Sequence, residues 1–486
     1  MYTDVMTEIA RFKAGRIHVA RAGLATQARL CVDMLQQGRG MAWVVKNRDE
    51  LLTARALMRL FSPELSSGDF LPDAFDKGGW TSLPPFSPRS ANREGWTERL
   101  SALYALRSGQ AKGLLLTADN LLPKLVPLDF FENREFTLIR GEDVSLEMIL
   151  EQAVEWGYER VSMVSNPGEI ARRGAILDIM PPGYDKPIRL DFFGDLIEEI
   201  RLFDPVSQRS KANLSEVRVL PVSPIRQSPA DQAKMQARWK SLFQKNMLTE
   251  NERFGLTRLQ EQGDFRLLPG CCYDTATNLE AWLPAETVWV LPGLSDFRDM
   301  LSSAERLWTE AFEAQDVEGR PQPQRLAMRE ASDVESACER FACVHAEPLG
   351  MGIAKVIHDL PERSLSSFED LFPSTAEQDR PWQTLVQALK RWQNDKRQTI
   401  LCFASEKSRT KFLNLASQDG LSPLLRYSGE QHGLFALVAP FRAGAELIWD
   451  QSLILGEDLL QPHAEKSRRV PTGAFKGLDR YDELKP

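Results

Sequence analysis

The hydrophobic positions of this chain change period several times, and each change marks a different kind of element. Gln27–Leu35 reads as helical, and Met41–Val45 ("MAWVV") follows as an unbroken apolar run. The same unit recurs further on. "TERLSALYALRSG" spaces Leu100, Leu103, Tyr104 and Leu106 along one helical side, and "KGLLLTA" is the apolar run after it. Continuous apolar strands between helices predict a parallel sheet covered on both faces. Residues 1–135 therefore read as α/β.

From residue 136 the period shortens. Ser145 can cap a helix over "LEMILEQAVEW", with Leu146, Ile149, Leu150 and Ala153 at helical spacing and Gly157 as its stop. Extended segments follow: "ERVSMV", "GAILDIM", "PIRLDFF" and "LIEEIRLF", the last two flanking a Gly194-Asp195 hairpin signal. Residues 136–222 thus read as a compact α+β module. Residues 223–335 are less regular. They hold a helical run from Ala230 to Gln244, the strand "TVWVLPG", a charged helix near Phe297–Phe312, and a loop over 316–328. A second small α/β domain is expected over 336–457, from "PWQTLVQALKRWQND", "TILCFA" and "SEKSRTKFLNLASQDG". The polar stretch 458–486, with Lys466, Arg468 and Arg469, reads as a linker or tail.

At 486 residues the chain exceeds a single core. A net charge of −8 argues against a protein built mainly to coat nucleic acid, although a basic patch can still touch DNA non-specifically. The six cysteines are sparse and sit mostly among apolar residues, which suits reduced thiols. Neither a signal segment nor a bilayer-length apolar run is evident. The expected location is the cytoplasm, with no membrane partner.

Nucleotide chemistry needs a loop that cradles phosphates and a lysine that reaches them. No Gly-Lys dipeptide occurs in the chain, and the first strand-to-helix turn reads "VARAGLATQARL", with one glycine and no lysine. "DELL" at 49–52 does not complete an Asp-Glu-x-His or Asp-Glu-x-Asp motif. Cys338-x4-Cys343-x-His345 lacks a second ligand pair at zinc spacing and reads as core thiols beside a histidine. Cys271 and Cys272 read as structural, and the scattered histidines define no triad. We therefore expect no catalytic residue, cofactor or metal among these residues.

The stretch "GEIARRGAILDIMPPG" (168–183) places Arg172 and Arg173 before a glycine at the mouth of a strand. Strand side chains alternate between faces. In "PIRLDFF", Ile188, Leu190 and Phe192 share a core face, while Arg189, Asp191 and Phe193 share the other. Pairing with Asp178, Asp191, Glu198 or Glu199 would account for the arginines with no further role. A docking patch is the other reading, because arginine and aromatic side chains dominate interface hot spots.

"GYERVSMVSNPGEIARRGAILDIMPPG", "PIRLDFFGDLIEEIRLFDPVSQRS" and the flanking "GLLLTADNLL" and "LIWDQSLILGED" resemble the bacterial transcription–repair coupling factor (Mfd) family. The likeness is to its N-terminal region, which contains a UvrB-like module. The resemblance implies a degenerate RecA-like parallel-sheet domain carrying an inserted UvrA-binding module. It assigns UvrA contact to Arg173, Arg189 and Phe193, and leaves Arg172 as a flanking residue. It implies a non-catalytic adaptor that brings UvrA of nucleotide excision repair to stalled RNA polymerase. In the intact family member the patch is held by an intramolecular translocase module. ATP and Mg serve that translocase, and an adjacent domain binds RNA polymerase. Both are expected beyond this sequence, which then corresponds to an N-terminal part. A helicase-like or nuclease-class DNA-binding fragment is the alternative.

Overall fold

A computed structural model describes residues 2–62, 79–347, 357–374, 378–427 and 432–460. The basic tail residues Lys466, Arg468 and Arg469 lie outside them. Two compact units divide the chain between Glu362 and Arg363.

In the first unit, β1 (Gly15–Ala20), β2 (Met41–Val45), β3 (Trp80–Leu83) and β4 (Gly113–Thr117) precede the module that begins near residue 136. That module holds β5 (Phe136–Ile139), β6 (Glu159–Arg160), β7 (Glu169–Arg173), β8 (Ile176–Ile179), β9 (Ile188–Phe193), β10 (Leu196–Phe203), β11 (Ser210–Leu214) and β12 (Glu216–Val219). The chain then returns with β13 (Val288–Pro292), β14 (Ala342–Glu347) and β15 (Ile357–Asp359).

The large sheet has the order β15-β1-β14-β13-β2-β4-β3, and every pairing in it is parallel. All residues of β2, β4 and β13 are buried, because helices cover both faces of the middle of the sheet. This is why those segments read as unbroken apolar runs. Helices Arg48–Phe61 and Arg93–Arg107 start on Asn47 and Asn92, whose side chains accept from Glu50 N and Gly95 N, each at 2.9 Å. Helices Leu24–Gln36 and Leu294–Val317 start instead on Gly23 and Gly293, with no side-chain cap of their own. The second of these extends past the expected Phe297–Phe312 limits, and a short helix at Gln324–Ala327 stands within the expected 316–328 loop.

One expected boundary is corrected. A last domain opening at 336 would include β14 and β15, yet both flank β1 in the large sheet. The run "ACVHA" is the buried neighbour that β1 and β13 require, so the second unit begins at Arg363. That unit holds a five-stranded sheet of order β16-β19-β20-β17-β18. Its strands are β16 (Glu362–Leu365, whose first residue still belongs to the first unit), β17 (Gln398–Phe403), β18 (Leu434–Val438), β19 (Gly444–Leu447) and β20 (Ser452–Gly456). Helices Pro381–Asn394 and Glu406–Gln418 contribute Leu385, Leu389, Phe412 and Ala416 to its core.

The inserted module is built on a six-stranded sheet, β11-β10-β9-β8-β7-β6, beside the β12-β5 ribbon. Helix Leu146–Glu155 covers one face through Leu146, Ile149, Leu150 and Ala153. These meet Leu177, Ile179, Ile188, Leu190, Phe192 and Ile200 in one core. Ser145 accepts from Met148 N and caps the helix, and Gly157 ends it with φ +96°.

Leu190 is fully buried in this core. Leu190→Ala removes its packing and leaves a cavity. The expected loss is about 2–5 kcal/mol of module stability, read by denaturant unfolding of the module's amide protection.

Candidate functional site: the uncovered face of the inserted sheet

Register fixes which side chains share the face that the helix does not cover. Asp178 on β8 stands opposite Arg189 on β9, and Arg189 stands opposite Arg201 on β10. Ile176 pairs with both Arg173 of β7 and Asp191 of β9, and Asp191 pairs with Glu199. Cross-strand partners share a face. Arg173, Asp178, Arg189, Asp191, Glu199 and Arg201 therefore line one side, and Phe193 joins them two residues beyond Asp191. The expected alternation of Arg189, Asp191 and Phe193 against Ile188, Leu190 and Phe192 is present in the burial pattern.

Two turns lie together at one end of this sheet. Gly174 connects β7 to β8 and Gly194 connects β9 to β10, both with φ +63° and open space where a Cβ would stand. Only glycine adopts that backbone without cost. Phe192 N donates to Ala175 O at 2.9 Å, which ties the two turns. Beside Gly194, Phe193 is 74% exposed. A phenyl ring in water forgoes roughly 1.5–3 kcal/mol that cover by a partner would release.

The centre of the face is Asp178, whose side chain is 1% exposed. Its Oδ1 accepts from Arg189 Nε at 2.7 Å and its Oδ2 from Arg189 Nη2 at 2.8 Å. Oδ2 also accepts from Arg173 Nη2 at 3.1 Å. One buried carboxylate thus holds two guanidinium groups. Arg189 is further fixed by donation to Gln208 Oε1 at 3.0 Å, and it lies 4.4 Å above the centre of the buried Phe203 ring. Hydrogen bonding to Asp178 raises the Arg189 pKa still further. Arg189 is 18% exposed and Arg173 47%, so Arg189 offers an edge and Arg173 about half of its side chain.

The segment "FDPVSQ" supplies the underside of that arrangement. Asp204 Oδ1 accepts from Ser207 N at 2.8 Å and from Ser207 Oγ at 2.9 Å, and these bonds hold the Asp204 carboxyl below its ordinary range. Gln208 has φ +58° and donates its own N–H to Asp204 O. The turn thereby swings Gln208 Oε1 onto Arg189. Asp178, Phe203 and Gln208 were not singled out from the sequence as site residues. The signal for Asp178 is strand parity together with its place opposite Arg189.

Arg172 lies on the other side of the sheet. It pairs across the ladder with the buried Leu177, forms an ion pair with Glu147 of the covering helix, and donates to Gly174 O at 3.2 Å. It borders a groove of about 440 Å³ lined by Glu147, Leu150, Glu151, Arg160, Val161 and Ile170. The structure therefore separates Arg172 from Arg173, Arg189 and Phe193.

Among the described residues no cluster of three or more His, Cys, Asp or Glu is placed to hold a metal ion. Cys338 and Cys343 are buried, and Cys343 Sγ lies 3.1 Å from Cys338 O. Burial raises both thiols, Cys343 to about 12. His345 is pushed down to about 4 by burial, bonds Pro292 O at 3.1 Å and stacks on His18 at 5.4 Å. Among the described residues no helix is long and apolar enough to cross a membrane.

Residues 136–224 match the family model of the UvrB interaction domain. The chain is 33% identical over 168 residues to the transcription-repair-coupling factor of Escherichia coli (strain K12), covering 34% of this chain and 14% of that protein. It is 31% identical over 237 residues to the transcription-repair-coupling factor of Myxococcus xanthus, covering 46% and 19%. The Staphylococcus aureus (strain MSSA476) protein of the same name is 41% identical over 128 residues, covering 26% and 11%. The matches thus span less than a fifth of the length of these relatives. The chain carries a UvrB interaction domain on an α/β scaffold and resembles the N-terminal region of the bacterial transcription-repair-coupling factors.

Proposed function

We propose that the uncovered face of the inserted sheet docks UvrA, with Phe193 as the apolar anchor and Arg173 and Arg189 as its polar contacts. The supporting observation is an exposed phenyl ring beside two guanidinium groups fixed on one buried carboxylate. A hot spot needs such a group: large, held in place before contact, and flanked by donors that match a partner's carboxylates or carbonyls. In this reading Asp178, Phe203 and Gln208 are positioning residues, and Arg172 fastens the covering helix.

The chain acts as a non-catalytic adaptor in transcription-coupled nucleotide excision repair, recruiting UvrA to RNA polymerase stalled at a lesion. In the intact protein the ATP- and Mg-dependent DNA translocase and the RNA polymerase contact belong to other regions. There the translocase covers this same face until polymerase engages, so UvrA and the translocase compete for one patch. The helicase-like or nuclease-class reading has only the parallel sheet in its favour, and architecture does not specify activity.

Two expected outcomes check the docking reading by calorimetric titration with UvrA. Arg173→Ala and Phe193→Ala each weaken binding by about 1–4 kcal/mol while leaving the melting transition of the chain in place. Unchanged affinity in both overturns the assignment. Asp178→Asn leaves Arg189 half-buried with one charged partner fewer. It is expected to lower module stability by about 3–5 kcal/mol and to weaken UvrA binding. An Asp178→Asn chain that melts as the native one does would remove Asp178 from its positioning role.

A further inference from the structure

The turn after β1 is where a parallel α/β sheet presents a helix N-terminus to a ligand. Here helix Leu24–Gln36 opens on Gly23 with no side-chain cap from its own first turn. Its free N–H groups are nonetheless taken. Ala25 N donates to Glu362 Oε1 at 3.2 Å and Thr26 N donates to Glu362 Oε2 at 2.7 Å. The two oxygens of one carboxylate therefore occupy two successive amides, the arrangement that two oxygens of a phosphate adopt at such a terminus.

The surroundings are built for this contact. A Cβ on Gly23 would stand 2.3 Å from Glu362 Oε1, so only glycine admits the carboxylate there. Gly23 has φ −74°, so close approach and not backbone strain is what requires a glycine. The backbone that carries Glu362 is anchored on β1. Leu360 N donates to Ala20 O at 3.1 Å and Glu362 N to Arg21 O at 3.0 Å. Arg21, the cation nearest the turn in sequence, points its Nε at Asp359 Oδ1, 2.8 Å away. The neighbouring glycine-capped helix follows the same pattern, since Leu294 N donates to Glu347 Oε1 at 3.4 Å. Two helix N-termini at one edge of the sheet are thus answered by the chain's own acids.

We propose that the Glu362 carboxyl group occupies the position of a nucleotide phosphate at the Leu24–Gln36 helix, which holds this edge of the sheet ordered without nucleotide and closed to it. The proposal is independent of UvrA docking. The carboxylate is tethered to β1 through β15 and meets the helix at no cost in free ligand concentration. A diphosphate competing for the same amides must first expel it.

Hydrogen exchange of the full chain tests this, with inorganic pyrophosphate as the probe and chloride at matched ionic strength as the blank. In Glu362→Ala, exchange at the Ala25 and Thr26 amides is expected to rise by about tenfold or more, as each loses its hydrogen-bond acceptor. Millimolar pyrophosphate should slow it again in the variant and leave the native chain unchanged. Unaltered exchange in the variant overturns the proposal. So does a variant that exchanges faster but ignores pyrophosphate, or a native chain that pyrophosphate protects equally. If Glu362→Ala does not fold, Glu362→Ser, whose side chain is likewise too short to reach the two amides, is read in the same way.

Discussion

Asp178 is the constraint from which the candidate site follows. A carboxylate taken out of water costs several kcal/mol unless opposing charge and hydrogen bonds meet it. Asp178 is buried, and its two oxygens accept three bonds from two arginines. The requirement runs in both directions. Arg189 lies between Asp178 above and Phe203 below, so its fork has one orientation. Arg173 is held to Asp178 by a single bond and keeps about half of its side chain exposed. The same acid thus makes one arginine part of the scaffold and presents the other. Phe193 needs no such support, because its place is set by strand parity and by the Gly194 turn.

The large sheet applies similar physics to a different end. Helix N-termini at the edge of a parallel sheet carry unsatisfied amides and positive potential. Polar side chains of the chain itself satisfy them here: Asn47 and Asn92 where the cap is local, Glu347 and Glu362 where it is brought from far along the sequence. In both the inserted module and the large sheet a buried or desolvated acid fixes geometry and need not take part in any chemistry.

Much of this was legible in the sequence, for identifiable reasons. The apolar runs "MAWVV" and "GLLLT" read as buried strands because both faces of β2 and β4 are covered. Period-two alternation in "PIRLDFF" puts Arg189 and Phe193 on one face, and Gly194-Asp195 specifies the hairpin. What stayed hidden depends on pairing between distant segments. Sequence alone gives the parity of β8 but not its register against β9, so Asp178 stood as one of several possible partners for the arginines. Arg172 and Arg173 are adjacent and look equivalent, yet one residue of parity sends them to opposite faces. β14 lies far from β1 in sequence, and local pattern carries no sign that the last strands close the first sheet.

Charge on the uncovered face balances, which limits what can drive recognition there. Arg173, Arg189 and Arg201 stand among Asp178, Asp191 and Glu199, with Arg201 paired to Asp191 and 3.4 Å from Glu199. Three cations against three anions leave little long-range field, in keeping with a chain whose net charge is −8. A surface of this kind selects its partner at contact range. Burying the phenyl ring supplies the area term, and the fixed guanidinium edges penalise any partner that leaves them desolvated without acceptors. Because the arginines are oriented before contact, little side-chain entropy remains to be lost on binding, and specificity rests on geometry.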